Sequence, residues 1–258
     1  MIARKPLKIF LAVEKALFLR ELGMRFSVGK SGLFWTFFEP FMQVFVFTAV
    51  HAYIFEKRSS FDYAVFTAVN FIAYRLFKSI ITSSLNSFKS NKALFIYKQV
   101  KPIDTIIARA LVELFITSII ILLFVFIGLY FDYSIEVKNF PIVVFGLVWL
   151  MIFSISIGIL VSIGNAFYQS IGKLVNIAMM FLMFGSAVFY SLESIPSKIA
   201  SILLVNPVTH FMEMIHGWYF YGLDDRFVNY NYILLWTLST LFLGLWLYRY
   251  LEKKIISL

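Results

Sequence analysis

Arg75 and Lys78 stand three residues apart inside the apolar run Ala64–Leu85, and Thr82 extends the same helical face. An ionised side chain is costly in hydrocarbon and usually faces a partner or a cavity. At ~1.5 Å per residue, Lys78 is close enough to the end of the run to snorkel its ammonium into water. Arg75 lies deeper and stays charged at any ordinary pH. No acid lies three or four positions from it. The preferred chemistry is a cationic stripe facing an acidic substrate; Glu39 or Glu113, reaching across from another helix, is the rival partner. Arg109 and Glu113 are four apart in the next run and can pair with each other, which favours a structural role there. Glu39 precedes Pro40, which frees a backbone carbonyl and bends its helix. The pair is read as a gate element or a packing anchor.

His210, Glu213 and His216 step by three along a helix and have the side chains of a metal site. A third strong ligand is missing, and so is the zincin order of histidines four apart. A hydrogen-bonded cluster is the better expectation, with no metal. Gly29-Lys30-Ser31 looks like the end of a phosphate-binding loop, but position 24, where that motif needs its first glycine, is Met24. It is read as an interfacial turn, so the chain is not expected to hydrolyse ATP. Aromatic residues make up 19% of the chain. Trp35, Phe37 and Phe38, with Phe181, Phe184, Phe189 and Tyr190, could stack on sugar rings along a path or serve as lipid-facing bulk.

The elements that must position these groups are membrane-spanning helices. Hydrophobic residues make up 61% of the 258 and charged residues 14%, against about 25% charged in soluble domains. Six apolar stretches approach the roughly 20 residues that a helical span needs: Leu33–Phe55, Ala64–Leu85, Ile106–Phe131, Pro141–Ile163, Leu174–Leu192 and Tyr232–Tyr248. Their continuous hydrophobicity argues against a β-barrel. The fold class is therefore all-α and polytopic. There is no cysteine, which excludes disulfides and thiolate chemistry. No cleavable signal peptide is expected. Fifteen basic residues fall in the N-terminal flank, the second and fourth gaps and the tail, against five on the other side. The positive-inside rule then places both termini in the cytoplasm. The net charge of +9 reflects that bias and contact with anionic lipid, not nucleic acid.

Pro6–Val28 reads as an imperfect amphipathic helix flat on the cytoplasmic interface, with Lys8, Glu14, Lys15, Glu21 and Arg25 on one side. Gly29 and Gly32 allow the turn into the first span. The second gap, Asn86–Pro102, is short, polar and basic, and Asp104 is placed to cap the next helix. Ser154, Gly158 and Ser162 form a small-residue ridge suited to close packing. Glu193–Asn231 is too apolar for a free loop. It reads as two short helices broken at Asn206-Pro207 that dip into the outer leaflet or lie on it.

The stretch Lys101-Pro102-Ile103-Asp104-Thr105-Ile106-Ile107-Ala108-Arg109-Ala110 resembles the KpsM-type capsule polysaccharide export permeases. So do Leu17-Phe18-Leu19-Arg20-Glu21, Arg25-Phe26, Trp35, Glu39-Pro40, and Asn206-Pro207 with His210 and Glu213. The resemblance runs over effectively the whole chain; one departure is His216, where that family has a basic residue, often arginine. It implies a bacterial inner-membrane permease subunit that pairs with a second copy of itself and with two separate ATPase subunits, which carry ATP and Mg. It implies an acidic, lipid-linked capsular polysaccharide as cargo, with periplasmic and outer-membrane export proteins beyond. By the same resemblance, residues 1–32 are an interface helix and 33–258 the permease. Residues 86–100 form a coupling segment, with Asn86, Lys89, Lys92, Phe95 and Lys98 facing the ATPase, and residues 195–221 form re-entrant helices. Arg75, Lys78, Trp35, Phe38, Phe181, Phe184 and Tyr190 are the candidate substrate path. Glu39, Pro40, Arg109, Glu113, Asn206, Pro207, His210 and Glu213 are the candidate gate and motif residues. Alternatives are a permease for O-antigen, teichoic acid or a drug, or a membrane glycosyltransferase, which would need an acidic metal-binding cluster in a cytoplasmic loop.

Overall fold

The computed structural model describes residues 6–27, 30–54 and 62–257. Every regular element among them is helical. In chain order they are α1 (Pro6–Ser27), α2 (Lys30–Ile54), α3 (Tyr63–Ser84), α4 (Ser87–Ser90) and a 3-10 turn (Lys92–Ile96). Then come α5 (Pro102–Tyr130), α6 (Phe140–Phe167), α7 (Ser170–Phe184), α8 (Ser197–Leu203), α9 (Pro207–Tyr219) and α10 (Tyr230–Ser257). Four of them, α3, α5, α6 and α10, are long and apolar enough to cross a membrane by length and composition. Gly29, in the expected interfacial turn, lies outside the described residues, and Lys30 and Ser31 open α2.

Helix α3 is the central element. Phe66, Phe77, Ile80 and Ile81 have no exposed surface, and α3 packs on α2, α5, α6 and α7. A helix enclosed by protein can carry Arg75 and Lys78 at membrane depth, because its polar groups meet other helices and not lipid tails. The small-residue ridge of α6 lies against the end of α3. Ser154, Ser162 and Gly158 are buried. A Cβ at Gly158 would come 2.9 Å from Ser84 Oγ, and Ser162 Oγ donates to the Ser84 carbonyl at 2.7 Å. Contact this close needs small side chains on the facing turn.

Two expectations change. The fifth apolar run is not one helix to Leu192; α7 ends at Phe184 after 15 residues, about 22 Å at the standard rise and short of a ~30 Å hydrocarbon core. Gly185 and Ser186 follow, and Ala187 has φ 57°. The carbonyl of Gly185 is taken by Asn206 Nδ2 at 3.0 Å and Thr209 Oγ1 at 3.1 Å. Side chains from α9 therefore replace the helical bonds that would have continued the run. On helix α1 Lys8, Lys15 and Arg25 of the expected charged side are exposed, but its two acids turn inward. Glu14, Leu17 and Glu21 are buried, while Leu7, Leu11 and Leu19 are exposed. Glu21 faces inward because α1 packs along α5, which presents Arg109.

Other local signals are met. Asp104 accepts the Lys101 N–H at 2.8 Å, closing the start of α5 as a third-position acid does. Two short helices, α8 and α9, flank the Asn206-Pro207 break. Asn206 Oδ1 accepts the Val208 N–H at 3.0 Å, with Pro207 as the first helical residue, where its missing N–H costs nothing. Val208 to Gly217 are buried, so the polar backbone of α9 is shielded by protein.

Candidate functional site

Glu21 and Arg25 are four apart on α1, as Arg109 and Glu113 are on α5. The structure pairs them across the helices and not along them. Arg25 Nη2 bonds Glu113 Oε1, and Arg109 Nε lies 3.2 Å from Glu21 Oε2. The order of the four charges makes α1 and α5 run in the same sense along this contact. The local pairing of Arg109 with Glu113 is corrected. Glu21, with 6% of its surface exposed, takes Arg109 as its counter-charge in the crossed arrangement, and a buried carboxylate left unpaired is costly.

Arg109 reaches further than that one partner. Nη1 donates to the Ser83 carbonyl near the end of α3, and Nη2 donates to Ser90 Oγ of α4 at 2.6 Å. Asn91 Nδ2 donates to Glu21 Oε1 at 3.2 Å. One guanidinium and one carboxylate thus join α1, α3, α4 and α5. The planar fork of arginine allows several donors to be used at once. A second clasp is Asn165 on α6. Its Nδ2 donates to the Leu85 carbonyl at 2.9 Å and to Asn86 Oδ1 at 3.1 Å, while its Oδ1 accepts the Gly172 N–H. The segment 86–100 is therefore pinned from both sides. Lys89, Lys92 and Lys98 are exposed, whereas Phe95 is buried with Phe88, Ile106 and Ile255. Phe95 anchors the segment and does not point outward.

Glu14 lies two turns before Glu21 on the same face of α1. It has 6% of its surface exposed, and neither carboxylate oxygen has a hydrogen-bond partner. Burial, with the charge of Asp104 adding to it, raises its pKa to about 7. The docked helix therefore holds a proton that a solvated glutamate would release near its ordinary 4.5. The resulting stabilisation is full below pH 4.5 and is lost as pH rises through 7; the shift corresponds to roughly 3 kcal/mol. The protein should unfold at a higher temperature at pH 5.5 than at pH 8. Glu14→Gln should remove most of that difference, as measured by thermal unfolding of the purified protein in detergent.

The deep charges of the path reading are placed as follows. Arg75 Nη1 donates to Thr117 Oγ1 on α5 at 3.3 Å, and the charges acting on it are Glu113, Glu39 and Arg25. Lys78 is half-buried one turn on. Glu39 is exposed, and its Oε1 accepts from Gln43 Nε2 at 3.3 Å, while Pro40 is buried inside the continuous helix α2. Trp35, Phe38, Glu39, Met42 and Gln43 line a shallow cleft of about 360 Å³ along α2. Phe34 stacks on Phe38 with ring centres 4.7 Å apart, and Trp35 meets Phe38 edge-on at 5.6 Å. Phe181 and Phe184 are exposed on α7. Phe189 turns inward against Phe47 at 4.3 Å, and Tyr190 is tied down by donating to the Phe184 carbonyl at 2.8 Å.

The histidines of α9 separate. His210 Nε2 contacts the Leu204 carbonyl at 2.9 Å, and its Nδ1 accepts the Asn229 N–H at 3.2 Å. His216 is fully buried, with Nδ1 3.1 Å from Glu213 Oε1 and Nε2 2.8 Å from Asn70 Oδ1 on α3. Glu213 Oε1 also accepts the Leu192 N–H at 2.9 Å. All four ring nitrogens are engaged by protein atoms, and the arrangement joins α3, α9 and the turn after α7. Asn70 and Asn165 had no signal in the sequence beyond being amides in or beside apolar runs, and Asn91 none beyond its place in the polar second gap. Glu21 and Arg25 did: their spacing mirrors Arg109 and Glu113.

The sequence profile of the ABC-2 type transporter family matches residues 13–220, a span that holds both charge pairs, the 86–100 segment and α9. The chain belongs to the ABC-2 type transporter family. Relatives of this ABC-2 chain extend the match to its full length. It is 33% identical over 257 residues to the polysialic acid transport protein KpsM of Escherichia coli, covering 99% of each chain. It is 25% identical over 236 residues to the capsule polysaccharide export inner-membrane protein CtrC of Neisseria meningitidis, covering 89% of this chain and 87% of that one. It is also 25% identical over 219 residues to the O-antigen export system permease protein RfbA of Klebsiella pneumoniae, covering 83% and 81%. The resemblance read from residues 101–110 and the flanking motifs is thus shown across the ABC-2 chain.

Proposed function

We propose that this chain is the permease subunit of an ATP-driven exporter that moves an acidic, lipid-linked capsular polysaccharide across the bacterial inner membrane. The observation that carries the reading is the end-to-end relationship to a polysialic acid transport protein at 33% identity. Helix α2, and α7 taken together with the chain through residue 192, join α3, α5, α6 and α10 as the six membrane segments, with both termini in the cytoplasm. Residues 1–32 form the interface helix and 33–258 the permease. Two copies make the conduit. ATP and Mg act on a separate ATPase chain docked on residues 86–100, and periplasmic and outer-membrane export proteins receive the polymer. Residues 195–221 are re-entrant helices; the burial of α9 inside the protein supports this, since backbone at membrane depth must be shielded. The relationship to RfbA favours lipid-linked O-antigen as the second cargo reading.

Within this reading Arg75, with Lys78, gives the polymer a weakly held positive stretch, and the Trp35–Phe38 cleft of α2 offers ring faces to sugars. Phe181, Phe184 and Tyr190 would continue that lining. An anion in transit needs compensating charge that does not trap it. The neutral bond from Arg75 to Thr117 suits such a role better than a closed ion pair. The test is capsule export in cells whose own permease gene is deleted. Wild type should restore surface polysaccharide, Arg75→Lys should keep part of it, and Arg75→Glu should lose it while the protein remains in the membrane with its ATPase. Normal export by Arg75→Glu would remove this residue from the path. Rescue of Arg75→Glu by Glu39→Arg or Glu113→Arg would make it a structural charge.

A further inference from the structure

We infer that the end of α10 forms one wall of the ATPase docking surface. This rests on the reading of residues 86–100 as the ATPase-facing segment and extends it to a part of the chain about 160 residues away in sequence. The apolar run of α10 ends at Tyr248, and Arg249, Glu252, Lys253 and Lys254 follow. Ile256 lies eight residues beyond Tyr248, about 12 Å further along the helix, on the charged side of the run. Ile255 is buried with Phe88 and Phe95, which fixes the last turn of α10 under the segment. Ile256 is left 41% exposed. It closes a groove of about 600 Å³ whose other lining residues include Lys89, Lys92, Phe95 and Ile96. Ile96 is 82% exposed.

The composition of this groove says what fits it. Its apolar wall is poorly matched to water, and its two lysines are poorly matched to hydrocarbon. A protein surface with an apolar side chain flanked by carboxylates satisfies both. That is the arrangement of an interface core with a charged rim. The occupant is therefore the ATPase subunit, presenting an apolar anchor between acids. The tail of α10 packs on the coupling segment through Ile255, so both walls would move with the docked subunit.

The test uses the complete exporter complex in native membranes. Because the chain has no cysteine, Ile256→Cys is the only thiol on the permease. It should cross-link to single cysteines on the ATPase surface. Ile256→Asp, at an exposed position, should lower the amount of ATPase captured with the permease by at least about tenfold, the scale of an interface hot spot. Lys92→Glu reports on the underlying reading and should do the same. If Lys92→Glu loses the ATPase while Ile256→Asp captures it normally and Ile256→Cys cross-links to nothing on it, the coupling segment docks without the tail and the inference fails. If both charge variants capture it normally, the coupling assignment itself is wrong. Labelling of Ile256→Cys by lipid-borne reagents alone overturns the inference in favour of a lipid-covered groove. Should Ile256→Asp fail to reach the membrane, the cysteine cross-link decides.

Discussion

Arg25→Ala should destabilise the packing of α1 on α5 by about 3 kcal/mol, the lower end of the 3–5 kcal/mol that follows removal of one partner from a buried ion pair. Glu113 has 1% of its side chain exposed, and its second oxygen has no other hydrogen-bond partner. Without Arg25 it is left to the more distant charge of Arg75. Arg25 is 39% exposed, so its own loss of solvation on pairing is modest and the penalty comes from the stranded acid. Pairing the change with Glu113→Gln should recover most of the loss, because a neutral amide is far cheaper to bury than a carboxylate. Thermal unfolding of the purified permease, with retention of membrane insertion as a control, measures both variants. Equal stability of Arg25→Ala and wild type would mean that the pair contributes nothing. Failure of the double variant to recover would mean that Arg25 acts through some other contact.

Arg109→Lys should reduce export by an order of magnitude or more while the protein still inserts, since it keeps the charge but gives up the fork. One ammonium cannot reach Glu21, the Ser83 carbonyl and Ser90 in the three directions that the guanidinium serves. The two charge pairs should also answer differently to reversal. Glu21→Arg with Arg109→Glu restores an ion pair but puts a carboxylate against the Ser83 carbonyl, which needs a donor, so export should stay low. A structural role alone would lower the amount of folded permease in proportion to activity. A role in transmission leaves the assembled complex hydrolysing ATP without moving polymer, so ATP turnover and export measured on the same membranes separate the two. Export at the wild-type level in Arg109→Lys would show that the three-way contact is not needed.

Much of the architecture was legible because single-residue chemistry sets it. Apolar run length marks helices α3, α5, α6 and α10. Asp104 after Pro102 marks the start of α5, and Asn206-Pro207 marks the break before α9. The Ser154–Gly158–Ser162 ridge announced a close helix contact, though not that Ser84 would fill it. The family was legible too, in residues 101–110 and the motifs around Glu21, Glu39 and Asn206.

The sequence by itself determined the chemistry of each segment: which stretches cannot face water, which side chains carry charge at depth, and where a helix must begin. It left open which charges meet. Arg109 and Glu113 satisfy the local rule for an ion pair, and so do Glu21 and Arg25. Both local pairings gave way to the crossed ones because α1 packs along α5 and sets Arg25 against Glu113 and Arg109 against Glu21, where Arg109 also reaches Ser83 and Ser90. In the same way α7 could have run on to Leu192 by hydropathy. It stops at Phe184 because Asn206 and Thr209, about twenty residues later, take the Gly185 carbonyl. Local rules weigh neighbours along the chain, but the energy of a buried polar group depends on what surrounds it in space, and that was decided only when the helices came together.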